Sequence, residues 1–273
     1  MSTATVNGVR IFYETTGSSG DPLVMVHGGW VSHHSWDLVA PHLGESFRVV
    51  TYDRRGHSQS ERQDGPVSVH DHVADLAALI EEMGLAPAWV GSLSSGASVA
   101  LRMATERSHL VRRVIAHEPA IFGLLADDPA YAPMVAEGQK RMSAIFERVA
   151  SGDHAGAAEE FVENIGVGPG GWAQLPPSIQ QTFIENALAA LKEGSDPDTF
   201  VIEPERLAAF TKPVLLTMGD RSPPMFGPTV KKLAAMLPNA EVVVIPGAGH
   251  RPQATHPEEY AEAILEFTRK HGT

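Results

Sequence analysis

The chain contains no cysteine. That excludes a disulfide framework, a thiolate metal site and a cysteine nucleophile. Positive charge is scarce: 21 Lys and Arg against 33 Asp and Glu leave a formal net charge of −12, which argues against nucleic acid or an anionic membrane surface as a partner. There is no apolar run long enough to span a bilayer, and Met1 to Arg10 lacks the apolar centre of a signal peptide, so a cytoplasmic location is expected. Internal repeats and low-complexity segments are absent as well. Histidine is plentiful at 13 residues, but His33-His34 and the pair His70/His72 lack carboxylate or cysteine companions at ligand spacing. These are expected at the surface or behind a site, and no metal or other cofactor is expected. A chain of 273 residues can bury one substantial core, with room for an insertion but not two full domains.

What is present is a series of short apolar runs. Ile11 to Glu14, Leu23 to Val26, Phe47 to Tyr52, Pro87 to Val90, Val111 to Ala116, Pro213 to Met218 and Glu241 to Ile245 read as strands. Helical stretches at about Ser68 to Met83 and Ala97 to Arg107 separate some of them. Continuous apolar runs of this kind indicate a mostly parallel sheet covered on both faces. Between Pro119 and Thr211 the strand pattern stops and helical stretches take over, the clearest being Ala132 to Ala150, His154 to Ile165 and Ser178 to Glu193. The expected organisation is a core of residues 1–122 and 211–273 with a helical insertion of residues 123–210.

The stretch Val90-Gly-Ser-Leu-Ser-Ser-Gly-Ala97 lies between a strand and a helix. A nucleophile raised on such a turn needs small residues two before and two after it, because the backbone there is crowded. Centring on Ser92 or Ser95 leaves Val90 or Leu93 at the −2 position. Centring on Ser94 places Ser92 before it and Gly96 after it, so Ser94 is the candidate nucleophile. Ser94 or Ser95 would also serve as a plain cap for the following helix.

With His27-Gly28-Gly29 after a strand, Tyr52-Asp53-Arg54-Arg55-Gly56-His57-Ser58, the Ser94 turn and Gly249-His250, the chain resembles the α/β-hydrolase superfamily over almost its whole length. The resemblance implies a helical cap inserted after the sixth strand, and a serine activated by a histidine base that an acid orients. His250 takes the place of the base. His27 stands before the oxyanion glycines, and the resemblance gives it no proton-transfer role. The acid departs from the usual pattern. The turn after the seventh strand reads Gly219-Asp220-Arg221-Ser222-Pro223, so the usual acid position holds Ser222, and Asp220 lies two residues early. Glu118, after the sixth strand in His117-Glu118-Pro119, is the alternative. In this respect the chain is similar to the fungal zearalenone lactonases, which share the Ser94-to-Ser98 elbow, the His117-Glu118 pair and a lone cap tryptophan, here Trp172. That similarity implies the triad Ser94, Glu118 and His250, with Asp220 as the alternative acid.

Backbone N–H groups of Ser95 and Gly29 are the expected oxyanion donors, with Gly28 close behind, since glycine permits close approach of the backbone. Trp30 and Trp172 are expected to line the substrate cleft, Trp172 because it follows a glycine run rather than a helical stripe. The expected activity is hydrolysis of a mainly apolar carboxylic ester or lactone through an acyl-enzyme. Hydrolysis of a C–C bond or haloperoxidase-like perhydrolysis would use the same triad. A ligand-binding protein that keeps the fold without turnover is the reading from outside enzymes. The expected partner is a small apolar ester or lactone, and a homodimer is compatible with the sequence.

Overall fold

Eight strands form one sheet in the computed structural model, which describes residues 2–272. They are β1 (Ser2–Val6), β2 (Val9–Thr16), β3 (Asp21–Val26), β4 (Phe47–Tyr52), β5 (Ala88–Leu93), β6 (Val111–His117), β7 (Val214–Gly219) and β8 (Ala240–Ile245). Their order across the sheet is β1-β2-β4-β3-β5-β6-β7-β8. The β1–β2 and β2–β4 pairs are antiparallel and every later pair is parallel.

The apolar runs are continuous because both faces are covered. In β3, Val24 and Val26 pack on one side with the helices Val69–Glu82, Ser95–Glu106 and Phe226–Met236, while Leu23 and Met25 pack on the other with Ala40–Leu43 and Pro257–His271. A buried parallel strand has no polar face, so alternation disappears from the sequence. Ser68 starts the Val69–Glu82 helix with a capping box, its side chain accepting from Asp71 N while Asp71 accepts from Ser68 N.

The helices between β6 and β7 include Ala132–Ala150, His154–Phe161, Pro177–Glu185, Ala187–Gly194 and Pro204–Ala209. They carry an apolar cluster of their own, and Trp30 from the β3 loop reaches into it. The expected helix at Ser178 to Glu193 is two helices, broken at Asn186. The break turns a fully buried Asn186 toward the sheet, where its Oδ1 accepts from Ser58 N at 2.8 Å and its Nδ2 donates to Val31 O at 3.0 Å. The His154 helix likewise ends at Phe161 and continues as a π-helical turn over Val162–Gly166. Among the described residues no helix is long and apolar enough to cross a membrane.

Candidate active site

The loops that leave the carboxyl ends of β3 to β8 meet at one edge of the sheet, the general location of ligand sites in parallel α/β sheets. Ser94 links β5 directly to the Ser95–Glu106 helix with φ 54° and ψ −125°. A non-glycine residue in such a region costs on the order of 1–3 kcal/mol and persists only where its surroundings enforce it. Here they do: Ser94 N donates to His117 O at 3.0 Å, and Ser94 O accepts from Ala97 N at 3.0 Å and Ala120 N at 3.2 Å. Gly96 has no room for a side chain, since a Cβ there would run into the Val26 and His27 carbonyl oxygens. Ser92, two residues before Ser94, is fully buried and donates to Ile115 O at 2.9 Å. The strained turn therefore centres on Ser94.

Glu118 follows β6 with φ 42°, and its N donates to Thr217 O at 3.0 Å, tying the end of β6 to β7. Its Oε1 accepts from Gly219 N at 2.8 Å and its Oε2 lies 2.6 Å from His250 Nδ1. Burial pushes the Glu118 carboxyl up, but the hydrogen bond to His250 and the His117 ring nearby, 3.6 Å away, outweigh it and hold the group well below the usual carboxylate range. An ionised Glu118 makes Nδ1 the protonated nitrogen of His250 and leaves Nε2 as the basic one. Phe226 stacks on the imidazole, with ring centroids 4.0 Å apart and an interplanar angle of 14°. Ser94 and His250 line the same two cavities. Among the described residues no hydrogen bond joins the two side chains. In unliganded sites such bonds often form only with substrate in place.

Asp220 does not reach the imidazole. It is exposed, and its Oδ1 accepts from Gly247 N at 2.8 Å, which fastens the turn leading to His250. Of the two candidate acids, only Glu118 is hydrogen-bonded to the histidine. His117, Glu118 and His250 also bring three ligand atoms within 4.8 Å of one another. The 2.6 Å Nδ1···Oε2 separation is that of a hydrogen bond. Donors shared by one tetrahedral ion, each about 2.0 Å away, would stand roughly 3.3 Å apart.

The oxyanion candidates converge on the same place. Ser95 begins the helix after Ser94, and Gly29 lies on the β3 loop, where a Cβ would stand 3.2 Å from Ser95 Oγ and 3.4 Å from Glu193 Oε2. His57 Nε2 lies 2.7 Å from Gly29 O. Beneath this turn, His27 Nδ1 donates to Gly28 O at 2.7 Å and its Nε2 accepts from Arg54 N at 2.9 Å. Burial first, then the nearby Arg54 charge, holds the His27 ring well below the usual imidazole range, so it is neutral.

Sequence reasoning missed Glu193. It comes from the end of the Ala187–Gly194 helix, is 2% exposed, and pairs with Arg54, itself 1% exposed, through contacts of 2.8 and 3.0 Å. The same guanidinium donates to Ser95 Oγ at 3.3 Å. Burial pushes the Glu193 carboxyl up, and the combined pull of Arg54, His72 and His57 brings it down to about 2. The pair spans 139 residues of sequence, so no local pattern announces it.

The cavities decide the two tryptophans. Beside Ser94 and His250 lies one cavity of ≈ 60 Å³, and a second of ≈ 40 Å³ also touches both side chains; Trp30 lines each. Trp30 stacks on Phe161 of the cap at 4.7 Å. The first cavity shares Phe122, Met142, Phe146, Ile165, Gly194 and Phe200 with a neighbouring cavity of ≈ 340 Å³ under the Ala132–Ala150 helix. Trp172 lines none of the three, contrary to the sequence expectation. Glu163 accepts from Gly170 N and from Trp172 N at 2.7 Å, and that bond holds the indole on the apolar cluster of the cap. The cap residues that line the cavity beside Ser94 include Met142, Phe146, Phe161, Ile165, Gly166 and Glu193. Two of the histidines expected at the surface or behind a site are buried: His33 against Asp53 at 2.8 Å, and His72 with neither ring nitrogen bonded.

The sequence and the fold have parallels in known proteins. An uncharacterized hydrolase of Bacillus subtilis, YraK, is 38% identical over 125 residues, which is 45% of this chain and 46% of that protein. The bifunctional esterase/perhydrolase DCH of Acinetobacter calcoaceticus is 26% identical over 280 residues, covering 97% of this chain and 98% of that one. Among solved structures, a thermophilic esterase from Thermogutta terrifontis superposes with a TM-score of 0.80 at 26% identity, covering 100% of this chain and 99% of the other. The sequence profile of the alpha/beta hydrolase family matches residues 23–263. The chain belongs to the alpha/beta hydrolase family.

Proposed function

We propose that this alpha/beta hydrolase is a serine esterase or lactonase that works through an acyl-enzyme. The single observation that carries the reading is the 2.6 Å contact between His250 Nδ1 and the buried Glu118 carboxylate, on an imidazole that shares its cavities with a strained Ser94. Ser94 Oγ attacks the carbonyl carbon as His250 Nε2 takes its proton. Glu118 stabilises the imidazolium and holds the ring in the tautomer the step requires. The Ser95 and Gly29 N–H groups receive the charge that develops on the carbonyl oxygen. His250 returns the proton to the leaving alcohol and then activates the water that releases the acid. None of these steps calls on a cofactor.

The cavities support an ester or lactone with one long apolar arm. The two spaces beside Ser94 hold little more than the scissile group, whereas the ≈ 340 Å³ cavity beyond Phe146 falls in the range of small-molecule sites. Burying one methylene is worth about 0.8 kcal/mol, close to fourfold in an equilibrium constant. kcat/KM for p-nitrophenyl esters is therefore expected to rise about fourfold per methylene from acetate until the cavity fills. A fluorophosphonate probe should label Ser94 in the native enzyme. An unlabelled Ser94, or no turnover across the ester series and a panel of macrocyclic lactones, would overturn the reading.

The finer similarity to zearalenone lactonases rests on the elbow and on His117-Glu118. Trp172, the third shared feature, lies away from the cavities. Perhydrolysis is the second reading, favoured by the near full-length similarity to DCH, an esterase/perhydrolase. Peroxide-dependent turnover of a carboxylic acid measures it.

A further inference from the structure

The Arg54–Glu193 pair lies outside the proton-transfer chain, yet it is placed against the oxyanion turn. Glu193 is the cap's contribution, and it lines the nucleophile cavity together with Gly29 and Ser95. Its Oε2 and Ser95 Oγ flank the Gly29 Cα, where a Cβ would come within 3.4 and 3.2 Å of them. Arg54 sits beneath, held by both Glu193 oxygens, and uses Nη2 to reach Ser95 Oγ. Ser95 is thereby held from the core side, while Glu193 of the cap fills the space beside Gly29 that a side chain would take. His57 Nε2 lies 2.7 Å from the Gly29 carbonyl and holds that turn from the core.

We infer that Glu193 and Arg54 are positioning residues that set the two oxyanion N–H groups, so that the hydrolytic site is assembled only when the cap is docked. The inference rests on the hydrolase reading above. An ion pair this deep is a weak source of net stability. Replacing both partners by apolar residues of similar volume is often tolerated, whereas removing one leaves the other charge buried and unpaired. A buried pair kept at such a place therefore calls for a role beyond stability. A displacement of about 1 Å at a catalytic group can cost on the order of 100-fold in rate, so a small shift of Gly29 or Ser95 is enough to matter.

The test separates positioning from folding. Glu193→Gln and Arg54→Met alone should melt early, as each strands a charge. The double variant Arg54→Met/Glu193→Met should recover most of the melting temperature. Its kcat for p-nitrophenyl butyrate should nonetheless stay about 10- to 100-fold below wild type, with KM within a few-fold. Inhibition by an alkylboronic acid, whose tetrahedral adduct on Ser94 places an oxygen in the oxyanion pocket, should weaken in the same proportion. A double variant that regains stability, kcat and boronate affinity together would make the pair purely structural and overturn the inference. A double variant that stays unstable while kcat of the folded fraction and boronate affinity match wild type would overturn it equally. Failure of the hydrolase reading is visible separately, as wild-type protein that neither turns over ester nor binds boronate.

Discussion

The loops at the strand ends and the cap hold their side chains in different ways. At the strand ends, position is set largely by main chain: Ser94 N bonds to His117 O and Glu118 N to Thr217 O. Both Ser94 and Glu118 are in left-handed backbone that these bonds enforce. The cap meets the core through side chains, with Trp30 stacked on Phe161, Asn186 bonded to Ser58 and Val31, and Glu193 paired with Arg54. Main-chain bonds fix the turns that carry Ser94 and Glu118. Side-chain packing from a distant segment sets the shape of the cavity, and so the two properties can be altered separately.

Ser94→Ala gives the largest separation. It should lower kcat on the order of 10⁴-fold or more without disturbing the fold. Ser92→Ala loses only the bond to Ile115 O, about 1 kcal/mol, and should keep most of its activity. An inactive Ser92→Ala beside an active Ser94→Ala would break the assignment of the turn.

Acid sharpens the contrast on the cap side. The Glu193 carboxyl is lowered from 4.5 to about 2 in the folded protein, so its stabilisation is present in full above about pH 4.5 and is lost as the pH falls toward 2. Glu193→Gln should therefore melt earlier than wild type at pH 7, with the gap closing on acidification through this window. Parallel melting curves across it would show that the carboxylate is not held by Arg54.

Smaller effects test the cavity walls. Phe146 lines both the nucleophile cavity and the large one, and Phe146→Ala should raise the ratio of octanoate to acetate kcat/KM by several-fold. Trp172→Ala should lower the melting temperature and leave kcat/KM within about twofold. A shift in chain-length preference with Trp172→Ala, and none with Phe146→Ala, would reverse the assignment of the walls.

The division between the two regions also governs what the sequence discloses. Parallel strands appear as apolar runs, and the elbow appears as small residues around Ser94, because both follow from main-chain crowding. The strand β1 is less visible, since Ser2-Thr-Ala-Thr-Val6 is a half-exposed antiparallel edge with little apolar content. In the cap, amphipathic periodicity shows helices but not where they break. Asn186 interrupts the Ser178-to-Glu193 stretch for a tertiary reason, its bonds to Ser58 and Val31. Trp172 follows a glycine run, which the sequence alone reads as a loop facing the cleft, while Glu163 pins it to the cap. His33 and His72 lie deep in the protein because distant residues pack over them. Glu193 and Arg54 carry no mutual signal at 139 residues apart.

The proposed hydrolysis depends most on an acid that follows β6 rather than β7, and two conservative substitutions test that point. With p-nitrophenyl butyrate, Glu118→Gln should reduce kcat by about 10³- to 10⁴-fold with the fold intact. Asp220→Asn, which alters only the cap on Gly247 N, should stay within a few-fold of wild type. A strong loss in Asp220→Asn together with an active Glu118→Gln would instead place the acid after β7.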